Sequence, residues 1–368
     1  MTFKQALCGL SLGALALAFN APAFAQQKGN LDETGQYDVV VNWFKPPVDR
    51  FDQRAVSVNA VDSNRVFVGF VDRNDTRAGF PLLALDGTVI PKDKTVVVKD
   101  DKDIAKGDVN NLMVLNADGK VIENWSQWNA EIQIAHHIVI DPYDPEQHVW
   151  VVDRFNHQIL KFTNDGKKLV MRLGERGVPG NDQGHFHDPA SMNFLPDGSF
   201  YVADGYTNSR VVKFDKSGKY VTAWGTKGTG PSQFNLVHSV GIDANRRLYV
   251  ADRVNNRVQI FDENGKYLDM WPGTKSVTRI VATEDGGIWM AIAGYNRFAK
   301  FDQNGKLLYH FGEMGADAGL MDNPHQFDVD KAGNLYVADA NNNRIQKFTP
   351  RKDADKSKLI GPEILLKK

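Results

Sequence analysis

Tyr201-Val202-Ala203-Asp204 followed by Asn208-Ser209-Arg210 returns as Tyr249-Val250-Ala251-Asp252 with Asn255-Asn256-Arg257, and again as Tyr336-Val337-Ala338-Asp339 with Asn343-Arg344. Weaker copies are Val151-Val152-Asp153 with Leu160-Lys161-Phe162 and Trp289-Met290-Ala291-Ile292 with Asn296-Arg297. A degenerate one runs from Val66 to Asp75 and closes with Asn116-Ala117-Asp118-Gly119-Lys120. Each unit reads as an apolar triplet, an acid, a polar loop, a strand ending in Phe and a Gly-Lys turn. Asp153 and Asp339 are 186 residues apart, a mean spacing of 46.5 over four intervals. That period fits one four-stranded propeller blade. Turns such as Asp262-Glu263-Asn264-Gly265 and Asp302-Gln303-Asn304-Gly305 suit antiparallel neighbours. Six copies therefore predict an all-β chain, a six-bladed β-propeller.

Working outward, residues 37–44 carry a strand signal that belongs to no copy, and the last copy lacks an outer strand after Phe348. Pairing the two closes the ring and leaves no open edge. Residues 351–368, which begin Arg351-Lys352-Asp353, read as a polar C-terminal tail or a further edge contact. At the other end Lys4, the uncharged run Ala6 to Phe19 and the small-x-small Ala23-Phe24-Ala25 before Gln26 read as a signal peptide over residues 1–25. The apolar run is shorter than the roughly 20 residues a spanning helix needs. The expected propeller then occupies residues 26–350, in a periplasmic or secreted protein with no membrane span that acts as a monomer. The single cysteine, Cys8, falls inside the signal, so the mature chain has no thiol chemistry.

Composition narrows the function. The 368 residues are 42% hydrophobic and 24% charged, which describes a globular chain. With 44 Lys+Arg against 45 Asp+Glu there is no basic surplus to neutralise phosphates, so nucleic acid is excluded as a partner. No Gly-x-Ser-x-Gly elbow and no His-Glu-x-x-His helix occurs.

The histidines carry the chemistry. Counting back five residues from Asp141, Asp243 and Asp330 gives His136, His238 and His325 in blades two, four and six. The same step gives Ser57, Ala190 and Thr278 in blades one, three and five. The counted position lies on the innermost strand, which lines the channel, and alternate blades of a six-bladed ring are about 120° apart. The three imidazoles should therefore converge on the axis, as the three ligands of a zinc site that keeps one position open. His137 points the other way on a strand of period two. His148, His157, His310, His185 and His187 fall in turns, outer strands or the loop leading into blade three, and are expected at the surface.

Chain direction brings the loop after the second strand back to the histidine side. In blade three this loop has six steps from Asp204 to Arg210, against five from Asp252 to Arg257, and it holds Gly205-Tyr206-Thr207. Tyr206 is thus expected at the channel mouth. Blade one offers Asp72-Arg73-Asn74-Asp75 in the same loop, with a guanidinium suited to a carboxylate. The repeated acids Asp153, Asp204, Asp252 and Asp339 read as acceptors within turns and between blades.

The Tyr-Val-Ala-Asp and Asn-x-Arg signature resembles the NHL-repeat six-bladed propellers over roughly residues 37–350. A narrower resemblance lies in Asp182-Gln183-Gly184-His185-Phe186, Asp204-Gly205-Tyr206-Thr207-Asn208-Ser209-Arg210, Trp224-Gly225, Gln233-Phe234, Val237-His238-Ser239 and Asn323-Pro324-His325. These are similar to the lyase domain of peptidylglycine α-amidating enzymes. That family cleaves a peptidyl-α-hydroxyglycine to a peptide amide and glyoxylate at zinc held by three His, with a Tyr and an Arg at the site and a structural calcium. The resemblance implies that His136, His238 and His325 hold zinc, that Tyr206 is the catalytic Tyr and that Arg73 is the Arg. It also puts the carbonyls of Asn59 and Ile138 at the calcium. Gln326 stands where the family has an Asp ligand for calcium, and Asn323 where it has a Met beside the substrate. The expected substrate is a small molecule or peptide ending in a hydroxyglycine-like group. Two other readings of the residues stay open, a metal-dependent ester or lactone hydrolase and a propeller that binds a protein or glycan partner without chemistry.

Overall fold

The computed structural model describes residues 33–45, 53–72 and 111–367. The signal-peptide segment with Cys8, and Arg73, lie outside them. Six four-stranded antiparallel sheets follow one another around a ring. Blade one is Gln53–Asn59, Val66–Asp72, Leu112–Leu115 and Val121–Asn124. The innermost strands of blades two to five are Ala135–Ile140, Pro189–Phe194, Val237–Ile242 and Val277–Ala282. Blade six combines Pro324–Val329, Leu335–Asp339 and Arg344–Pro350 with the N-terminal strand Tyr37–Val40, which lies antiparallel to Arg344–Pro350.

Strand alternation builds the core. Even and odd positions of each second strand face opposite neighbours. Trp289 and Ala291 pack toward blade six, whereas Ile288, Met290 and Ile292 pack toward blade four. Among the described residues an apolar cluster fills each of the six seams between blades. The repeated acid and Arg tie each blade to the loop leading into it. Asp252 is fully buried and accepts from Arg257 Nε at 2.7 Å and Asn255 Nδ2 at 2.8 Å. Arg257 in turn donates to the carbonyls of Gly230 and Gln233 at 2.8 Å. A buried ion pair is tolerable when its remaining donors are satisfied in this way, and Asp204 with Arg210 and Asp339 with Arg344 repeat the arrangement.

Two sequence expectations are corrected. Residues 351–367 are not a trailing polar segment. Ile360 is buried against blades five and six, Leu366 against blades three and four, and Ile364 N–H donates to Ala282 O at 2.8 Å. Glu363 pairs with Arg279 at 2.9 Å and accepts from Asn193 Nδ2 at 2.7 Å. The segment crosses the end of the channel away from the histidines, because Leu359, Ile360, Ile364 and Leu366 gain apolar contacts there that outweigh the polar run before them.

The second correction is the register of blade one. A bulge interrupts the inner strand between Ala55 and Ser57, as another does between Ala135 and His137 in blade two. Val56, not Ser57, is therefore level with His136, and Val58, not Asn59, with Ile138. Val56 lies six residues before Asp62, against five from His136 to Asp141, so a count taken from Asp62 slips by one.

Candidate metal centre

The inner strands of blades two, four and six each bulge at a histidine. His136, His238 and His325 are fully buried, and their ligand atoms lie within 4.8 Å of one another. Each imidazole is oriented by the next blade. His136 Nδ1 lies 2.7 Å from Ala190 O, His238 Nδ1 2.8 Å from Thr278 O and His325 Nδ1 2.6 Å from Val56 O. A carbonyl accepts only from a protonated nitrogen, which fixes Nδ1–H and leaves the Nε2 lone pair for the axis. The acceptors occupy the equivalent bulge positions of blades three, five and one, so the residues that interrupt the histidine pattern serve to aim it.

All three are held in the neutral form. Burial, then the charge of His325, pushes His136 well down. Burial, then Arg253, does the same to His238 and lowers His325 to about 3. Tyr206 sits across the mouth, its hydroxyl 3.0 Å from His136 Nε2 and 2.9 Å from His238 Nε2. One phenolic proton can satisfy only one of those nitrogens. Converging lone pairs on neutral imidazoles call for a cation, and the donor set suits a divalent metal with three nitrogen ligands.

The placement of Tyr206 follows from Gly205. A Cβ at Gly205 would stand 1.9 Å from Val237 O, so only glycine lets the longer loop lie on the backbone of blade four. Tyr206 N–H then donates to Asp188 O at 3.2 Å. In blades four, five and six the same backbone bond is made by Arg253 to Leu236, Ala293 to Ser276 and Ala340 to Asn323. Sequence reasoning missed two charges at this mouth. The Arg154 guanidinium carbon lies 3.4 Å from the centroid of the Tyr206 ring, and Arg253 Nη1 donates to the Tyr206 hydroxyl at 3.2 Å. The signal was present, since each Arg directly follows its blade's repeated acid, Asp153 or Asp252.

Comparison with known proteins agrees with this architecture. The DUF5128 family, a 6-bladed beta-propeller, matches residues 181–270, and the NHL repeat matches residues 321–348. Human NHL repeat-containing protein 3 is 30% identical over 268 residues, covering 67% of this chain and 74% of the human protein. The chain belongs to the NHL-repeat six-bladed propellers. Within that family it is similar to the amidating enzymes. Rat peptidylglycine alpha-amidating monooxygenase is 30% identical over 268 residues, 66% of this chain and 25% of the rat protein. Drosophila melanogaster peptidyl-alpha-hydroxyglycine alpha-amidating lyase 1 is 29% identical over 264 residues, 64% of this chain and 48% of the fly protein. The NHL propeller thus spans about a quarter of the rat relative and about half of the fly one. A solved streptogramin B lyase aligns with a TM-score of 0.50 at 12% identity over 86% of this chain and 88% of its own, a likeness of fold.

Calcium fares differently from the histidine centre. Asn59 and Ile138 both line a cavity of about 380 Å³ between the channel and residues 362–366. Both oxygens of the buried Asp328 there accept backbone N–H groups, from Ala60 at 2.7 Å and Val329 at 2.9 Å, while Glu363 is committed to Arg279 and Asn193. Residue 326 is a neutral amide, buried, with neither side-chain atom hydrogen-bonded. Gln326 thus lacks the charge that the resemblance implies for a calcium ligand at this position. None of the described residues of the NHL propeller forms a helix long and apolar enough to cross a membrane.

Proposed function

We propose that this protein is a zinc-dependent lyase that cleaves an N-acyl carbinolamide, an α-hydroxyglycine blocked on nitrogen, to an amide and glyoxylate. Residues 1–25 would serve as its export signal. The observation that carries the reading is the Tyr206 hydroxyl in contact with two Nε2 atoms of a preorganised, neutral histidine triad. The relation to the amidating enzymes supports it.

His136, His238 and His325 would hold the zinc, which when bound would retain its double charge and make a substrate hydroxyl more acidic. In the reaction the carbinol O–H proton is lost, its electron pair forms the aldehyde C=O, the C–N bond breaks, and the nitrogen leaves with a proton. Tyr206 can give its proton to that nitrogen and take up the one from the carbinol, ending as it began. Arg253, placed beside the Tyr206 hydroxyl, would bind the carboxylate, the role the resemblance implies for Arg73, because a planar guanidinium grips it at two points. Arg154 covers the ring face of Tyr206 and keeps water from it.

Purified without a His tag, the protein should carry about one zinc per chain, lost on His238→Ala, and should release glyoxylate from hydroxyglycine-terminated peptides. Metal-free protein would point to a binding platform. Zinc-loaded protein that turns over esters or lactones but not these peptides would replace the lyase by a hydrolase.

A further inference from the structure

Asp188 lies in the loop leading into blade three, away from the axis. Its backbone is architectural, because φ is 58° at Asp188, 76° at Leu236, 55° at Ser276 and 61° at Asn323, the same place in four blades. Each of the four carbonyls accepts the loop N–H described above. The side chain of Asp188 does something further. Oδ2 accepts from Thr207 Oγ1 at 2.6 Å, so the residue holds Tyr206 by its own N–H and the next residue by its hydroxyl. Oδ1 lies 3.9 Å from Arg154 Nε, and Arg154 is the group stacked on the Tyr206 ring. The Asp188 N–H donates to His157 Nδ1 at 3.1 Å, which anchors the carboxylate-bearing residue from the blade-two side.

From this geometry we infer that Asp188 is the positioning residue of Tyr206, holding the loop from below through Thr207 and the stacked guanidinium from the side. The inference rests on the reading of Tyr206 as the proton carrier. Blade five supplies a neutral counterpart, since Ser276 Oγ accepts from Arg253 Nε at 3.0 Å. The two Arg residues that touch Tyr206 are thus each steadied by the left-handed residue of the following blade. The Asp188 side chain reaches both the Tyr loop and its covering Arg.

The test separates positioning from general support of the fold. In the otherwise native protein Asp188→Ala should lower kcat by about tenfold with KM little changed, because a small misplacement of a reacting group is costly. In a Tyr206→Phe background the same substitution should change kcat less than about twofold, the non-additivity of residues that act through one group. Asp188→Asn keeps an acceptor for Thr207 and removes the charge beside Arg154, and should fall between. It also serves if Asp188→Ala fails to fold. A readout independent of turnover is nitration of Tyr206 by tetranitromethane, followed by peptide mapping, which should accelerate several-fold in Asp188→Ala. Equal kcat losses in both backgrounds, or a Tyr206 nitration rate unchanged from wild type, would overturn the assignment. If wild type releases no glyoxylate, the lyase reading falls, and the nitration rates still decide whether Asp188 positions Tyr206.

Discussion

One backbone slot at the channel mouth is filled by Tyr206 in blade three and Arg253 in blade four, but by Ala293 in blade five and Ala340 in blade six. The N–H of all four residues is tied to the same kind of left-handed residue, so the frame is constant and the side chain alone varies. Arg154 adds a second guanidinium from blade two. The mouth is therefore divided, with charged and hydroxyl groups gathered over blades two to four and methyl groups over blades five and six. Repetition supplies positions of nearly equal geometry, and chemistry has been written onto one side of them. This is the sense in which the fold does not dictate the activity.

The division can be broken most severely at Tyr206. Tyr206→Phe keeps the ring under Arg154 and should leave folding and metal content intact, while glyoxylate release falls on the order of 10²- to 10⁴-fold. Unchanged turnover would remove the hydroxyl from the reaction. A smaller effect is expected at Arg253→Lys, which keeps the charge and loses the two-point grip. KM should rise roughly tenfold and kcat hold within about threefold, and steady-state kinetics on one peptide series decides it. The smallest effect belongs to the quiet side. Ala293→Arg places a further guanidinium in a partly exposed slot of blade five and should alter kcat/KM by less than about threefold. A larger loss would mean that the methyl half is in fact where the substrate's acyl chain rests.

The sequence was most legible where the repeat enforced register. His136, His238 and His325 stand at one counted position, and the structure brings them to one point because the bulge recurs at that position. The count failed in blade one, where six residues, not five, separate the bulge at Val56 from Asp62. Arg154 and Arg253 were less legible because their loops have the ordinary length of the repeat and carry no insertion like the one that marks Tyr206. His157 and Asp188 were invisible for a different reason. Their contact joins blade two to a loop 31 residues onward, and no period announces it. Residues 351–367 misled through order, since Lys and Asp come first and the apolar residues that dock come last.

The three histidines also bear on how the protein is made. The third comes from blade six, which joins three strands late in the sequence to the early strand Tyr37–Val40. A ribosome must therefore release residues up to 350 before the ring can shut, and up to His325 before the triad can assemble. No truncated product that stops short of His325 can hold the complete triad. Occupancy of the centre accordingly reports that synthesis reached the final blade, a proof of completion that a site built within one blade could not give.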